Sequence, residues 1–527
     1  MEAPFSTPAV QPRRWGILGV LIISLLVVVL DTTVLNVALR TIADPRHGLD
    51  ATQSQLEWMI NSYTLVFAGL LFTAGIMADR MGRRITLIAG LATFGLASLA
   101  SAYAGSPEHL IATRAVMGLG AAAVMPATLS IIANVFDARE RGRAIGVWAA
   151  AAGLGVAIGP IVGGLLLERF WWGSVFLINV PLVVLGIVLV AVLVPESRAP
   201  RSGRLDVVGV LLSVAGLTLL TYGVIKGGED GFDTPSAWGS LVAATVVLTG
   251  FVALQRRLDS PSLDVRLFTN RVFSASTGAI GLVFFAAMGT LFLAAFYLQL
   301  VRGYGPLASG ALYLPFAIGQ IALAPRSAAM VKRFGPKAVS TAGLLLVAVS
   351  QAVWLVVGTA TPIWVVGMAF FICGAGMAHV IPPATEMIMS ALPPEKAGVG
   401  SSVNNTMRQL GGALGVSTLG AVVASVYRGR IGEATDGLPT TAAEVARHDI
   451  SGAYAVAQQS DTNGTQLIAH ANDAFVAAMH YAALGATIVC LLGALTTALW
   501  LPARRPVSGP ATTIDEALAE KHGSTVA

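Results

Sequence analysis

Apolar runs of about twenty residues follow one another from Trp15 almost to Leu501, separated by short polar stretches that carry most of the charge. A bilayer core of roughly 30 Å takes about 20 residues of helix, so each run predicts a membrane-spanning helix. The pattern places spans at 15–40, 54–78, 84–104, 107–135, 142–167 and 170–194, then at 206–225 and 236–254. Six more fall at 272–301, 307–331, 336–358, 361–389, 397–427 and 475–501. The expected fold class is therefore an all-α polytopic membrane protein of fourteen transmembrane helices, since a helix satisfies its own backbone in lipid. The segment 428–474, rich in Gly, Ala, Thr, Asp and Gln, reads as a polar external loop with room for short helical pieces.

Composition agrees: the 527 residues are 55% hydrophobic and 12% charged, and the mean hydropathy is +0.74. Arg13 and Arg14 before the first run resemble a secretory signal, but no small-x-small cleavage pattern follows, and the run reads as a retained helix. Cys373 and Cys490 lie in apolar runs without the spacing of a metal site or a disulfide framework. The net charge of +5 could indicate a nucleic-acid partner, but the basic residues are sorted by side. With a cytoplasmic N-terminus, the inside connections carry Arg80, Arg83 and Arg84; Arg139, Arg141 and Arg143; Arg198, Arg201 and Arg204; Arg256, Arg257, Arg266 and Arg271; and Lys332, Arg333 and Lys337. The other connections hold far fewer, so both termini are expected inside.

A repeat lies over this pattern. MADRMGRRITLIAGL from Met77 and MVKRFGPKAVSTAGL from Met330 align without a gap, sharing Met, Arg, Gly, a basic residue at Arg84 and Lys337, and a closing Ala-Gly-Leu. Each stretch joins the second to the third helix of a six-helix group. Parallel repeats of this kind predict two bundles rocking around a central site. The expected organisation is a tail at 1–14, a six-helix bundle at 15–196, a linker with two extra helices at 197–265, a second bundle at 266–501 and a tail at 502–527.

Charges inside spans mark candidate chemistry. Asp31 stands in LLVVVLDTTVLNVAL, residues 25–39, where an isolated ionised side chain costs at least roughly 2.5–3.5 kcal/mol on insertion scales. At 1.5 Å per residue it lies about 24 Å along span 1, and Arg114 lies about 10 Å into span 4 from the opposite side, so their depths agree. Burial and a nearby arginine pull a carboxyl's proton affinity in opposite directions, so a movement that changes the Asp31 to Arg114 distance would switch it. A static ion pair fixing span 1 against span 4 fits the same residues. Thr32 and Asn36 can line the adjoining cavity.

Arg408, in the polar patch with Asn404 and Asn405, is expected to face the cavity, with Glu386 as its partner or as an interfacial carboxylate. His379 reads as a core histidine and Glu57 as an interface anchor. Trp58, Tyr63, Phe67, Phe285, Phe292 and Tyr297 are candidate substrate-cavity residues, since ring surfaces bind flat or cationic amphipathic molecules without strict polar matching. Gly155, Gly159 and Gly163 recur every four residues and make a smooth helix face for close approach, with Pro160 bending that helix. No P-loop, zinc-binding His-Glu-x-x-His or nucleophile elbow occurs, so neither an enzyme nor an ATP-driven pump is indicated.

Four stretches resemble the major facilitator superfamily in its fourteen-helix drug:proton antiporter (QacA/EmrB-type) branch: LDTTVLNVAL at 30–39, GIMADRMGRR at 75–84, RAVMGLG at 114–120 and GVAIGPIVGG at 155–164. The resemblance covers nearly the whole chain. It implies the superfamily's fold, two six-helix bundles plus two inserted helices, and proton-coupled export of hydrophobic or cationic amphipathic compounds from the cell. It implies proton coupling at Asp31, to which the residues themselves add Arg114, Glu386 and Arg408 as candidate associated charges. Asp79, Arg80, Gly82, Arg83 and Arg84 would form a conformational latch, although a solvated inside face fits them too, and Lys332 at the repeat position of Asp79 makes a second latch doubtful. Gly155, Gly159, Pro160, Gly163 and Gly164 would form the antiporter motif. Asn405 joins the cavity residues; some relatives carry an acidic residue where this chain has Asn404 and Asn405. The expected partners are small-molecule drugs or amphipathic metabolites, protons and lipids, with no nucleic acid, metal or cofactor. The chain is expected to act as a monomer.

Overall fold

A computed structural model describes residues 13–136, 138–198, 206–258, 261, 265–392, 397–436, 438–458 and 464–503. The first half holds α1 (Arg14–Ala43), α2 (Gln53–Met81), α3 (Arg83–Ala102), α4 (Pro107–Val135), α5 (Ala138–Arg169), α6 (Ser174–Leu177) and α7 (Asn179–Leu193). Two helices follow, α8 (Val207–Asp230) and α9 (Pro235–Arg257). The second half holds α10 (Arg271–Phe296), α11 (Pro306–Ala311), α12 (Leu314–Val353), α13 (Ile363–Ser390), α14 (Ala397–Ile431), α15 (Thr440–His448), α16 (Ile450–Ala457) and α17 (Gly464–Trp500).

Local sequence sets several helix starts. Thr52 and Gln55 form a capping box ahead of α2, and Ser106 caps α4 with Pro107 in its first turn. Asn270 caps α10 by accepting from the backbone of Val272 and Phe273. Each cap satisfies a backbone donor that the helix itself leaves open.

Twelve segments among the described residues are long and apolar enough to cross a membrane. Helices α2 and α5, at 29 and 32 residues, have the length for the other two expected spans. Three elements differ from the sequence reading. The sixth span is broken at Ile178 into α6 and α7. The tenth and eleventh spans run on as α12 across a kink at Gly335. The last span starts at Gly464, inside the expected loop, because the polar residues there pack in a helix rather than a coil. The rest of that loop contains α15 and α16, which pack on α14 and α17.

The repeat has the same backbone device in both halves. Gly82 has φ +121° and Gly335 has φ +83°, a conformation that glycine alone adopts without steric cost. Fourteen of the fifteen aligned positions lie in paired helices, so this bend lets the second helix of each pair fold back on the first. Above it, the third and fourth helices of each group meet at glycines: a Cβ on Gly120 would lie 2.7 Å from the Gly90 carbonyl, and one on Gly376 would lie 2.7 Å from the Gly343 carbonyl.

The halves meet along α2 with α14 and along α5 with α11 and α12. Helix α8 packs against both α2 and α14, while α9 packs mainly on α8. Val214 of α8 sits against Gly69 of α2, Ala421 of α14 sits against Gly228, and Arg428 donates to the Gly228 carbonyl. The inserted pair thus covers one seam between the bundles.

Candidate functional site

Asp31 and Arg114 form an ion pair, with 2% and 1% of their surface exposed. α1 supplies the carboxylate and α4 the guanidinium. Asn179, at the start of α7, donates from Nδ2 to Asp31 Oδ1 at 3.3 Å and reaches Ser98 Oγ of α3 at 3.1 Å. Ser98 donates to the Phe176 carbonyl at 2.8 Å. Arg114 Nε donates to the Met59 carbonyl of α2 at 3.1 Å, and its Cζ lies 4.4 Å from the Tyr63 ring centre. Four helices of the first half, α1, α2, α4 and α7, therefore meet at one buried charge pair, with Ser98 of α3 bonded behind them. Such a pair is costly to assemble and more costly to leave half-made, since removing one partner strands a charge in a low-dielectric interior.

The neighbouring turns of α1 have other duties. Thr33 faces α5, and its side chain occupies the space a Cβ on Gly159 would need. Val29 and Val34 fill the same role at Gly155 and Gly163, with contacts of 3.0 and 2.9 Å from the notional Cβ. The glycine stripe is thus the groove in which α1 lies. Pro160 and Gly164 point elsewhere, to the second half: Gly164 abuts Leu307, and the Pro160 carbonyl abuts Gly310. Thr32 and Asn36 are half-buried, and their side chains bond to the α1 backbone at Val29 and Thr32.

The aromatic residues separate into three groups. Tyr63 and Phe67 are buried next to the ion pair, with ring centres 5.9 Å apart. Trp58 turns to the inserted helix, 6.4 Å from Tyr222. Phe292 and Tyr297 are fully buried in the second bundle, against Phe296 and Trp354 respectively. Phe285 is half-buried, and its backbone receives Gly415 of α14. Helix rotation thus sends these side chains to different neighbours.

Arg408 is half-buried with its Cζ 4.7 Å from the Phe284 ring centre. No ion pair joins it to Glu386 in α13, which has other interactions. Asn404 donates to Thr385 at 3.0 Å, and Asn405 is half-buried beside it. His379 is buried and bonded to the Ala375 carbonyl. Glu57 is not an interface anchor: it is 2% exposed, accepts from Gln53 at 3.3 Å and packs on Gly420 of α14. In the proposed latch, the Asp79 side chain lies outside the described residues. Gly82 supplies the bend, and Arg83 donates to the Ser130 carbonyl at 3.2 Å. Arg80 is exposed and Arg84 half-buried, and Glu196 accepts from the backbone N–H of Arg84 at 3.2 Å.

At the end where α1 terminates, the halves are bonded together. Arg40 donates to the Gln299 carbonyl at 2.6 Å, and Gln299 Nε2 donates to the Val37 carbonyl at 2.9 Å. The Gln53 backbone N–H donates to Asp449 at 3.2 Å, so the α15–α16 corner closes over the same end. Asp44, just past α1, is partly buried, which acts to raise its pKa. Hydrogen bonds from the His47 and Arg46 backbone outweigh this and hold its carboxyl below the usual range.

Asn179, Ser98 and the Met59 carbonyl were not read from the sequence as site residues. Asn179 left a signal, a lone amide in the apolar run FLINVPLVVLG; polar groups within spans default to functional candidates. A serine or a backbone carbonyl leaves none.

A model of the Major Facilitator Superfamily matches residues 21–416. The chain is 35% identical to the multidrug efflux pump LfrA of Mycolicibacterium smegmatis, covering 94% of this chain and 97% of that one. It is 33% identical to the tetracenomycin C resistance and export protein of Streptomyces glaucescens, over 80% of this chain and 78% of that one. With the methyl viologen resistance protein SmvA of Salmonella typhimurium it shares 32% identity over 93% and 98% of the two chains. Among solved structures, a bacterial homologue of the human lysosomal transporter spinster matches with a TM-score of 0.68 at 16% identity, covering 94% of this chain and 100% of that one. Two bundles built on one repeat, facing each other across a bonded seam, together with a family model spanning most of the chain, lead to one assignment: this chain belongs to the Major Facilitator Superfamily.

Proposed function

We propose that this protein is a proton-driven exporter of hydrophobic or amphipathic small molecules, cationic ones included. It works by alternating access between its two bundles, spans the cell membrane fourteen times and keeps both termini in the cytoplasm. The observation that carries the reading is the Asp31–Arg114 pair, buried in the first bundle and held by groups from several helices. A rocking motion that shifts α1 against α4 lengthens the pair, and a separated carboxylate in that setting takes up a proton. The bonds of Arg40, Gln299 and Gln53 close the expected outer end, so in this conformation the outward path is shut.

The driving force suffices. One proton moving inward yields about 2.3 kcal/mol per 100 mV, and a pH unit adds about 1.4 kcal/mol. Together these sustain a substrate gradient of several hundredfold, so no nucleotide or other cofactor is needed. The relatives named above are an efflux pump, a resistance and export protein and a resistance protein, which supports the substrate class. The test is dye transport by purified protein in vesicles under an imposed pH gradient, with Asp31→Asn as control. Absence of gradient-dependent transport by the wild-type protein refutes the reading.

The likeness to the tetracenomycin C export protein favours a second reading, export of an antibiotic made by the same cell. Deleting the gene and measuring secreted compounds separates the two: loss of one specific product, with unchanged sensitivity to dyes, selects self-made antibiotic export.

A further inference from the structure

The rotation of α14 is fixed by its neighbours. A Cβ on Gly411 would lie 2.9 Å from Gly281 Cα, and one on Gly415 would lie 2.8 Å from Phe285 Cα, so this face meets α10. Gly420, about 180° further round at 100° per residue, meets Glu57 of α2. Ala421 meets Gly228 of α8 on one of the two arcs between those faces. The other arc carries Asn405, Arg408 and Gln409, at about 120°, 60° and 160° from Gly411. This arc lies between the direction in which α14 meets α10 and the direction in which, nearer the outer end, it meets α2, and it is turned away from α8, so it points toward the seam between the halves. All three of its polar residues are half-buried rather than sealed.

Arg408 and Arg114 are both deep cations, but they are provided for differently. Arg114 has a carboxylate, a carbonyl and an aromatic ring. Arg408 has the Phe284 ring, and among the described residues it makes no ion pair or hydrogen bond. A ring face attracts the guanidinium but takes none of its five N–H donors. Asp31 cannot serve it, being already neutralised by Arg114. Among the described residues, this arc of α14 thus presents a positive, planar fork with no hydrogen-bond acceptor, held in orientation by an aromatic ring, and that fork matches a carboxylate or another planar oxyanion in bidentate fashion.

We propose that Arg408 is a specificity-determining residue that binds an acidic group on the transported molecule, so that amphipathic organic anions are substrates alongside neutral and cationic compounds. Asn405 and Gln409 add amide groups beside it. This inference rests on the exporter reading for its use, but it concerns binding and can be tested without transport.

The test is equilibrium binding of two xanthene dyes of opposite charge, carboxyfluorescein and rhodamine 123, to the purified full-length protein, read by fluorescence anisotropy. The wild-type protein is expected to bind both. Arg408→Gln should weaken carboxyfluorescein at least tenfold more than it weakens rhodamine 123, and Arg408→Lys, which keeps the charge but loses the fork, should fall between. Competition on the wild-type protein needs no variant: 2-naphthoate should displace carboxyfluorescein, and naphthylmethylammonium at equal concentration should not. Equal weakening of both dyes, no weakening of either, failure of the wild-type protein to bind carboxyfluorescein, or displacement by both naphthalenes to the same extent overturns the proposal. Vesicles that bind the dyes but move neither under a pH gradient count against the exporter reading and leave the binding inference standing.

Discussion

Replacing Asp31 by Asn removes the carboxylate from Arg114 while leaving the arginine its bond to the Met59 carbonyl at 3.1 Å and the Tyr63 ring at 4.4 Å. Stranding one partner of a buried pair costs about 3–5 kcal/mol, and a desolvated ring contact retains roughly 1–2 kcal/mol of that. The expected net loss is therefore about 1–4 kcal/mol. Arg114→Met strands Asp31 instead, with Asn179 Nδ2 at 3.3 Å as its remaining described donor, and should cost about as much or more. The double variant leaves no stranded charge, so its loss should fall short of the sum of the single losses by about 3 kcal/mol. Unfolding of the three purified variants completes the cycle, and vesicle assays add the functional half. Asp31→Asn should abolish dye transport driven by a pH gradient while dye counterflow, which needs no net proton movement, continues. Additive stability losses would show that the two groups are not an energetic unit. Gradient-driven transport retained in Asp31→Asn would falsify the proton role.

Gly159→Leu forces a side chain into the space held by Thr33, and overpacking of this kind costs about 1–3 kcal/mol; thermal unfolding should fall and transport with it, while Gly155→Ala, facing Val29 at 3.0 Å, should be milder on both measures. Gly82→Ala meets two obstacles, a φ of +121° and the Glu196 carboxylate 2.6 Å from the new Cβ; backbone strain alone costs about 1–3 kcal/mol, and a variant as stable as wild type would refute the bend. Cysteines at Val37 and Gln299, whose chains are linked by a 2.9 Å hydrogen bond, should cross-link under oxidation and stop transport until reduced; transport that persists in fully cross-linked protein would mean that this end does not open.

How far the site was legible depended on what each residue leaves in a one-dimensional pattern. Asp31 and Arg114 are conspicuous because a charge in an apolar run has few places to go, and matching their depths needed only helix rise. The repeat was legible for a related reason: Gly82 and Gly335 answer the same backbone demand, a positive φ between two antiparallel helices. Rotation was not legible. Trp58, Tyr63, Phe292 and Tyr297 look alike as aromatics in spans, yet one faces the inserted helix, one lies under Arg114 and two sit in a bundle core. Glu57 looked like a boundary residue because its position along α2 is near the end, but depth in the membrane says nothing about which neighbour covers it.

The sequence by itself determined that the chain crosses a membrane many times and that two halves share a design, because hydrophobic length and repetition are both properties of order along the chain. Only the tertiary structure decided that α8 covers the seam between α2 and α14, that α1 lies in the glycine groove of α5, and that Arg114 is ion-paired while Arg408, among the described residues, meets only a ring. Those outcomes turn on which faces of distant helices come together, and a helix presents all its faces equally until its neighbours are in place.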